Sequence, residues 1–346
     1  MRCMVSGIGF GERIPNFVRM NAGGQPVMFY DRCCGDPALI VTGTPATLSA
    51  SAGPLAQLLV EAAAAGLVCF VVVRTGPDGP KTDTPETDSP ETGIAALSSL
   101  FPDTVCLLAD SDGQLSDHLA GRQTDVTLFI TGRTLRLLAS LPFDGADPAI
   151  RRTFAKALAY PHGQPPLLEI PDLLTPAECD MLIGVFDRAD PVPSGSHVEK
   201  AGKVVLEEDP DAKVRLDVTV PQGPVSEKLM AIMTHRLVPE LRYVFSFTPR
   251  SSEQFKIVRY DADSGGHFAV HRDNSTPDAV ARRFAITLNL NTGAYDGGGL
   301  IFPEYGPAPV SPPAGGAVVF SCGLAHRVTP VTRGVRYALI SFLHGA

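Results

Sequence analysis

A chain of 346 residues, 44% hydrophobic and 19% charged, has the composition of a globular protein and the length for two domains, each with its own core. Its formal net charge of −8 argues against a general binder of nucleic acid or anionic membrane, because phosphate attraction needs a basic face. The start, Met1-Arg2-Cys3-Met4-Val5-Ser6, lacks the apolar stretch of a signal peptide, no apolar run approaches bilayer-spanning length, and seven cysteines without regular spacing suggest no disulfide framework; a reduced cytoplasm is the expectation.

Taken in chain order, Pro37-Ala38-Leu39-Ile40-Val41-Thr42 reads as a buried strand. A helix follows over Ala56 to Ala65, opened by Pro54 in its first turn and closed by Gly66. Leu67 to Val73 is a second buried strand, rich in β-branched residues, so the three elements suggest a βαβ unit in a parallel or mixed sheet. Asp83-Thr84-Pro85-Glu86-Thr87, nearly repeated as Asp88-Ser89-Pro90-Glu91-Thr92, reads as an exposed loop with little to bury. Thr104 to Leu108 is a further short strand, and Asp125 to Thr131 with Thr134 to Leu141 forms a hairpin turning at Gly132-Arg133.

This order, with Leu107-Leu108-Ala109-Asp110-Ser111-Asp112-Gly113 ahead of a helix and hairpin, resembles a peroxiredoxin-type thioredoxin fold over roughly residues 5–145. That family's peroxidatic cysteine follows the first core strand in a Thr-x-x-Cys turn, at a helix start that lowers its pKa. The matching stretch here, Thr44 to Ala52, contains no cysteine, and Cys33 and Cys34 precede the strand. With no Cys-x-x-Cys present, Cys33, Cys34, Cys69 and Cys106 read as core or incidental thiols, and the domain as a redoxin without its chemistry.

Pro161-His162-Gly163-Gln164-Pro165-Pro166 has linker composition, which sets the expected domains at residues 1–161 and 162–346. Beyond it, Thr175-Pro176-Ala177-Glu178 is a capping box opening an amphipathic helix through Met181, Leu182, Val185 and Phe186. The segment Tyr260 to Asn274 then contains His271-Arg272-Asp273. Alternate residues of a strand share a face, so His271 and Asp273 can bind one metal side by side, and His326, ending the apolar run Val318-Val319-Phe320, can supply a third ligand. Two histidines and a carboxylate leave open positions on iron for a chelating oxoacid and oxygen, and Arg336 could grip that acid's far carboxylate by a forked pair. Alone, a His-x-Asp is most often a hydrogen-bonded strand pair and His326 a core histidine. The order and spacing of all four carry the stronger reading.

His-x-Asp, a histidine 53 residues after the aspartate and an arginine ten residues beyond it resemble the prolyl 4-hydroxylase-like members of the Fe(II)- and 2-oxoglutarate-dependent dioxygenases. The turn Tyr295-Asp296-Gly297-Gly298-Gly299-Leu300-Ile301-Phe302-Pro303 resembles that family's glycine-rich turn and next strand, and the likeness covers roughly residues 165–346. The resemblance implies a double-stranded β-helix (jelly roll) with supporting helices, behind an N-terminal α/β thioredoxin-like domain. It implies Fe(II) on His271, Asp273 and His326, with 2-oxoglutarate and O2 as cosubstrates. Tyr260 and Asn289 should then face 2-oxoglutarate, Asn289 beside Arg336 and Tyr260 toward the iron. Bacterial fusions of a redoxin-like segment with such an oxygenase resemble the whole chain.

The implied reaction hydroxylates an unactivated C–H bond of an amino acid, a prolyl residue or a related small molecule, with succinate and CO2 as co-products. Asp273 favours hydroxylation over halogenation, because halogenases of the superfamily carry a small residue in its place. His267, four residues before His271 on the same strand parity, is expected in the pocket wall or core, Arg272 pointing away from the metal and Cys322 in the core. Lys213-Val214-Arg215-Leu216-Asp217 lines the substrate entrance or an exposed strand face. Three alternatives stay open: a non-catalytic redoxin–oxygenase scaffold, a thiol peroxidase with an accessory domain, and a zinc hydrolase, which would have no use for Arg336. The expected partner is a small-molecule or peptidyl substrate, with no nucleic acid and no membrane, and a homodimer left open.

Overall fold

The computed structural model describes residues 7–75, 90–121, 125–145, 148–159, 161–200, 203–207 and 209–345. The chain divides into two compact units, Met1–Gln164 with Pro303–Gly306, and Pro165–Phe302 with Pro307–Ala346. Among the described residues no helix is long and apolar enough to cross a membrane.

In the first unit, a five-stranded sheet takes the order Cys106–Asp110, Val68–Arg74, Ala38–Gly43, Thr127–Thr131, Leu137–Pro142. The first three strands run parallel and the last two form an antiparallel hairpin on them. Helix Ala52–Ala65 makes the crossover between two parallel strands and stops at Gly66, whose φ of 98° allows its N–H to reach back to the carbonyls of Ala62 and Ala63. Leu39, Val41, Val71, Leu128 and Ile130 of the sheet pack on Leu55 and Leu59 of that helix, all fully buried. Each such side chain contributes about 1.5–3 kcal/mol of transfer free energy.

The strand expected at Thr104 begins two residues later, at Cys106, because Val105 is held in a turn by its N–H to the Pro102 carbonyl. Helix Gln114–Ala120 follows, its Leu115 and Ser116 amides donating to the buried Asp110 carboxylate. Of the acidic near-repeat, Pro90-Glu91-Thr92 opens helix Pro90–Ser98 rather than lying in a loop, proline being at ease in a first turn. Residues 83–89, like Met1–Ser6, lie outside the described residues.

The second unit opens with strand Leu167–Ile170 and helix Pro176–Asp187, which starts at the Thr175–Glu178 capping box. An antiparallel sheet takes the order Leu167–Ile170, Ala317–Ser321, Arg282–Asn289, Val335–His344, Lys256–Asp261, Leu216–Thr219, Val192–Pro193, with Ser251–Ser252 pairing beside Val335–His344. A four-stranded sheet takes the order Lys213–Val214, His267–His271, His326–Val328, Leu300–Ile301. Residues of both sheets line one cavity of about 400 Å³, the jelly-roll-like core. Ile286, Leu288, Val319 and Leu339 pack in one core with Leu182 and Phe186 of helix Pro176–Asp187. Helices Pro224–Ile232 and Val238–Phe245 are joined by a π turn, Met233–Leu237, ahead of Pro239, whose missing N–H could not have continued a regular helix.

Candidate metal and cosubstrate site

Strand register assembles the site. His271 stands directly opposite His326 on the neighbouring strand, and Asp273 follows just past the strand end, its amide donating to the Cys322 carbonyl. Candidate ligand atoms of His271, Asp273 and His326 lie within 4.8 Å of one another. The two Asp273 oxygens are each 3.4 Å from a histidine Nε2, Oδ1 from His271 and Oδ2 from His326. Both imidazoles meet a carbonyl two residues back, His271 Nδ1 at 2.8 Å from Ala269 and His326 Nδ1 at 3.1 Å from Leu324. A carbonyl can only accept, so Nδ1 carries the proton in each ring and Nε2 presents a lone pair beside Asp273. Two neutral nitrogens and one carboxylate suit a divalent transition metal, so the donor set fits Fe(II).

Burial pushes His326 down to about 4, only partly opposed by Asp273. Burial works to raise Asp273, yet His326 and then His271 outweigh it and hold the carboxyl below its ordinary value. Between about 4 and its ordinary 6.5, His326 is neutral when folded and protonated when unfolded, so the unfolded chain binds more protons and stability rises with pH. The metal-free protein should therefore lose stability as pH falls from 6.5 toward 4, by up to about 1.4 kcal/mol per unit. Denaturant midpoints across that range should show a shallower slope in His326→Gln; an unchanged slope would assign the effect to other groups.

Arg336 and Tyr260 are opposite one another on adjacent strands, and Asn289 lies on the strand flanking Arg336. Arg336 is buried, donates from Nη2 to Asn289 Oδ1 at 2.9 Å, and sits 5.2 Å from the Tyr260 ring centre. Its Nε is buried with no partner among the described residues. A buried guanidinium with an unanswered donor is costly without an acceptor, and a carboxylate supplies one. The glycine turn closes on the same side chain. Gly298 adopts φ +65°, and a Cβ there would come within 2.8 Å of Arg336 Cδ.

The expectation for His267 is corrected. An extra residue between Phe268 and His271 bulges the strand, so period-two parity does not carry back to His267, whose ring lies against the Gly265 and Asp211 carbonyls. Phe268 takes the place at the site instead, stacked on His271 with ring centres 3.5 Å apart. Arg272, expected to point away, also lines the cavity and donates to the Gly323 carbonyl. Cys322 is fully buried, and burial raises its thiol. Lys213, Arg215 and Asp217 line the cavity, as their alternation allowed. Sequence reasoning missed what engages them: Arg215 forks onto Asp217 at 2.8 and 3.1 Å and donates to the Tyr260 hydroxyl at 3.3 Å. It also missed the fork of Arg282 on Glu253, at 2.6 and 2.8 Å, across 29 residues of chain.

Two imidazoles and a carboxylate thus converge on one point, with a buried arginine in the same cavity. The chain belongs to the 2OG-Fe(II) oxygenase superfamily, whose sequence model matches residues 255–344, and it is a 2-oxoglutarate-dependent hydroxylase. A PKHD-type hydroxylase of Bordetella pertussis is 31% identical over 186 residues, covering 51% of this chain and 77% of that protein. One from Xanthomonas axonopodis pv. citri is 32% identical over 185 residues, covering 50% and 75%. Among solved structures, a Pseudomonas putida prolyl-4-hydroxylase is 20% identical with a TM-score of 0.42, covering 55% of this chain and 96% of that one.

Proposed function

We propose that His271, Asp273 and His326 hold Fe(II), that Arg336 anchors the distal carboxylate of 2-oxoglutarate beside Asn289 and Tyr260, and that the enzyme hydroxylates an unactivated C–H bond of an amino acid, a prolyl residue or a related small molecule, releasing succinate and CO2. The observation that carries this reading is the buried Arg336, with Nε unpartnered, in the cavity that the three candidate ligands also line. When bound, iron with 2-oxoglutarate and oxygen supplies the oxidising power; the protein's part is orientation and a dry pocket. His271 and His326 keep their Nδ1 protons on carbonyls, which fixes each ring's direction. Asn289 holds one arm of Arg336, and Arg215 holds the Tyr260 hydroxyl. Phe268, Phe320 and Phe302 around the histidines exclude water. The negative net charge favours a small-molecule or peptidyl substrate over nucleic acid or a membrane surface. Purified protein given Fe(II), 2-oxoglutarate, air and a panel of amino acids and prolyl peptides to accept the second oxygen atom should form succinate and CO2 in equal amounts; iron-loaded protein that forms neither with any of them would end this reading and favour a scaffold.

For the first unit we propose a thioredoxin-like domain without peroxidase activity. Its support is the sheet of three parallel strands extended by an antiparallel hairpin, with helix Pro45–Ala50 starting directly after the central strand. The cap of that helix is Thr44, paired with Thr47, and no cysteine stands in the turn. The six cysteines among the described residues are free thiols. Burial pushes Cys33 well above the ordinary value, helped by Asp36, brings Cys69 to about 12 and raises Cys106. Thiolate is the reactive form, so reduced protein should consume peroxide no faster than free cysteine does. Stopped-flow peroxide turnover that vanishes in Cys33→Ala or Cys34→Ser would overturn the assignment.

A further inference from the structure

Beside Lys256, 3.9 Å from Asp217, and Arg272, which donates to the Gly323 carbonyl, the oxygenase cavity carries a further cation that neither metal nor cosubstrate uses. Arg336 is assigned to 2-oxoglutarate, and the guanidiniums of Arg215 and Arg282 are already forked onto Asp217 and Glu253. Lys213 also lines the cavity and is half-buried, yet among the described residues it has no carboxylate within ion-pair distance. Its Nζ lies 2.6 Å from the Gly195 carbonyl and 4.8 Å from the centre of the Phe268 ring. An ammonium has three donors, so one bond to Gly195 leaves two. Because Phe268 stacks on His271, the ammonium lies within about 8 Å of the His271 ring. That places it about one small molecule's length from the metal ligands.

We propose that Lys213 binds a carboxylate of the substrate, so that the substrate is a small carboxylic acid, a free amino acid or short-chain acid, rather than an internal residue of a peptide. Burial, and then the neighbouring Arg215, bring Lys213 down to about 8, as expected of an ammonium awaiting its counter-charge. The Phe268 ring, 4.8 Å from the ammonium, supports the cation. A phosphate is bound best by forked guanidiniums, and those of Arg215 and Arg282 are engaged by Asp217 and Glu253 while Arg272 donates to the Gly323 carbonyl.

The inference rests on the iron and 2-oxoglutarate assignment above. The test is succinate release by full-length, Fe(II)-loaded protein with 2-oxoglutarate, using the twenty proteinogenic amino acids, their carboxamides, phosphoserine and a prolyl peptide blocked at both ends. At least one free acid should stimulate succinate formation tenfold more than its amide does. Lys213→Met should raise the apparent KM for that acid at least tenfold, with a smaller change in kcat. Where Lys213→Met is poorly folded, protection of Lys213 from lysine-selective acylation in the wild-type protein replaces it, with the free acid protecting and its amide not. Amides equal to acids, the blocked peptide or phosphoserine as the best substrate, no stimulation by any acid, or an unchanged KM in Lys213→Met would each overturn the inference. Succinate formed without such discrimination overturns this inference alone, whereas no succinate under any condition removes the oxygenase reading as well.

Discussion

Asp273→Ala should abolish turnover, with a loss of well over a hundredfold in kcat/KM and of most bound Fe(II). Its two oxygens each lie 3.4 Å from a histidine Nε2, so among the described residues it is the one carboxylate that meets both rings. Removing a group that merely supports a metal ligand typically costs about 10–100-fold in affinity or activity, and loss of the charged ligand itself costs more. The fold should survive, because the strand pairing at this point is made by backbone: the Asp273 amide donates to Cys322 and the His271 strand pairs with His326. Iron content after gel filtration, read with a melting curve, separates loss of metal from loss of fold. Full iron retention and turnover in Asp273→Ala would displace the triad as the metal site.

Arg336→Ala should raise the apparent KM for 2-oxoglutarate by about 10- to 150-fold, corresponding to the roughly 1.5–3 kcal/mol of a hydrogen bond to a charged group. Arg336→Lys should recover only part of this, because an ammonium keeps the charge but not the fork that reaches Asn289 and a carboxylate together. KM for the primary substrate should move far less, since Arg336 is assigned to the other acid. Unchanged 2-oxoglutarate dependence in a folded Arg336→Ala protein would mean that another cation of the cavity binds the cosubstrate.

Why these two sites could be read from the sequence, and their surroundings could not, follows from the range of each signal. His271 and Asp273 are two residues apart in a strand, a relation fixed by backbone geometry alone. His326 and Arg336 ended or entered apolar runs that could hardly be anything but strands. The resemblance supplied their pairing, and the register then brings His271 against His326 and Tyr260 against Arg336. The bulge after Phe268 leaves no trace in composition, and it exchanged His267 for Phe268 at the site. Arg215 on Tyr260 and Arg282 on Glu253 are tertiary meetings between polar residues 45 and 29 positions apart, which no periodicity records. In the first unit, the βαβ crossover and hairpin were visible as apolar runs of five to seven residues. Hairpin Val18–Met20 with Pro26–Met28, and the one-turn helix Phe29–Cys33, are too short for any period to show.

The three candidate metal ligands belong to the strands of the four-stranded sheet and its immediate continuation, whereas Tyr260, Asn289 and Arg336 all stand on the larger sheet. A cosubstrate whose keto-acid end meets the metal and whose far carboxylate meets Arg336 would therefore act as a cross-link between the two sheets. Each end that binds restricts the spacing the other end needs, so metal and 2-oxoglutarate enter as mutually reinforcing ligands by linkage. Fe(II) and 2-oxoglutarate together should therefore stiffen the seam between the sheets more than either does alone, before any substrate arrives.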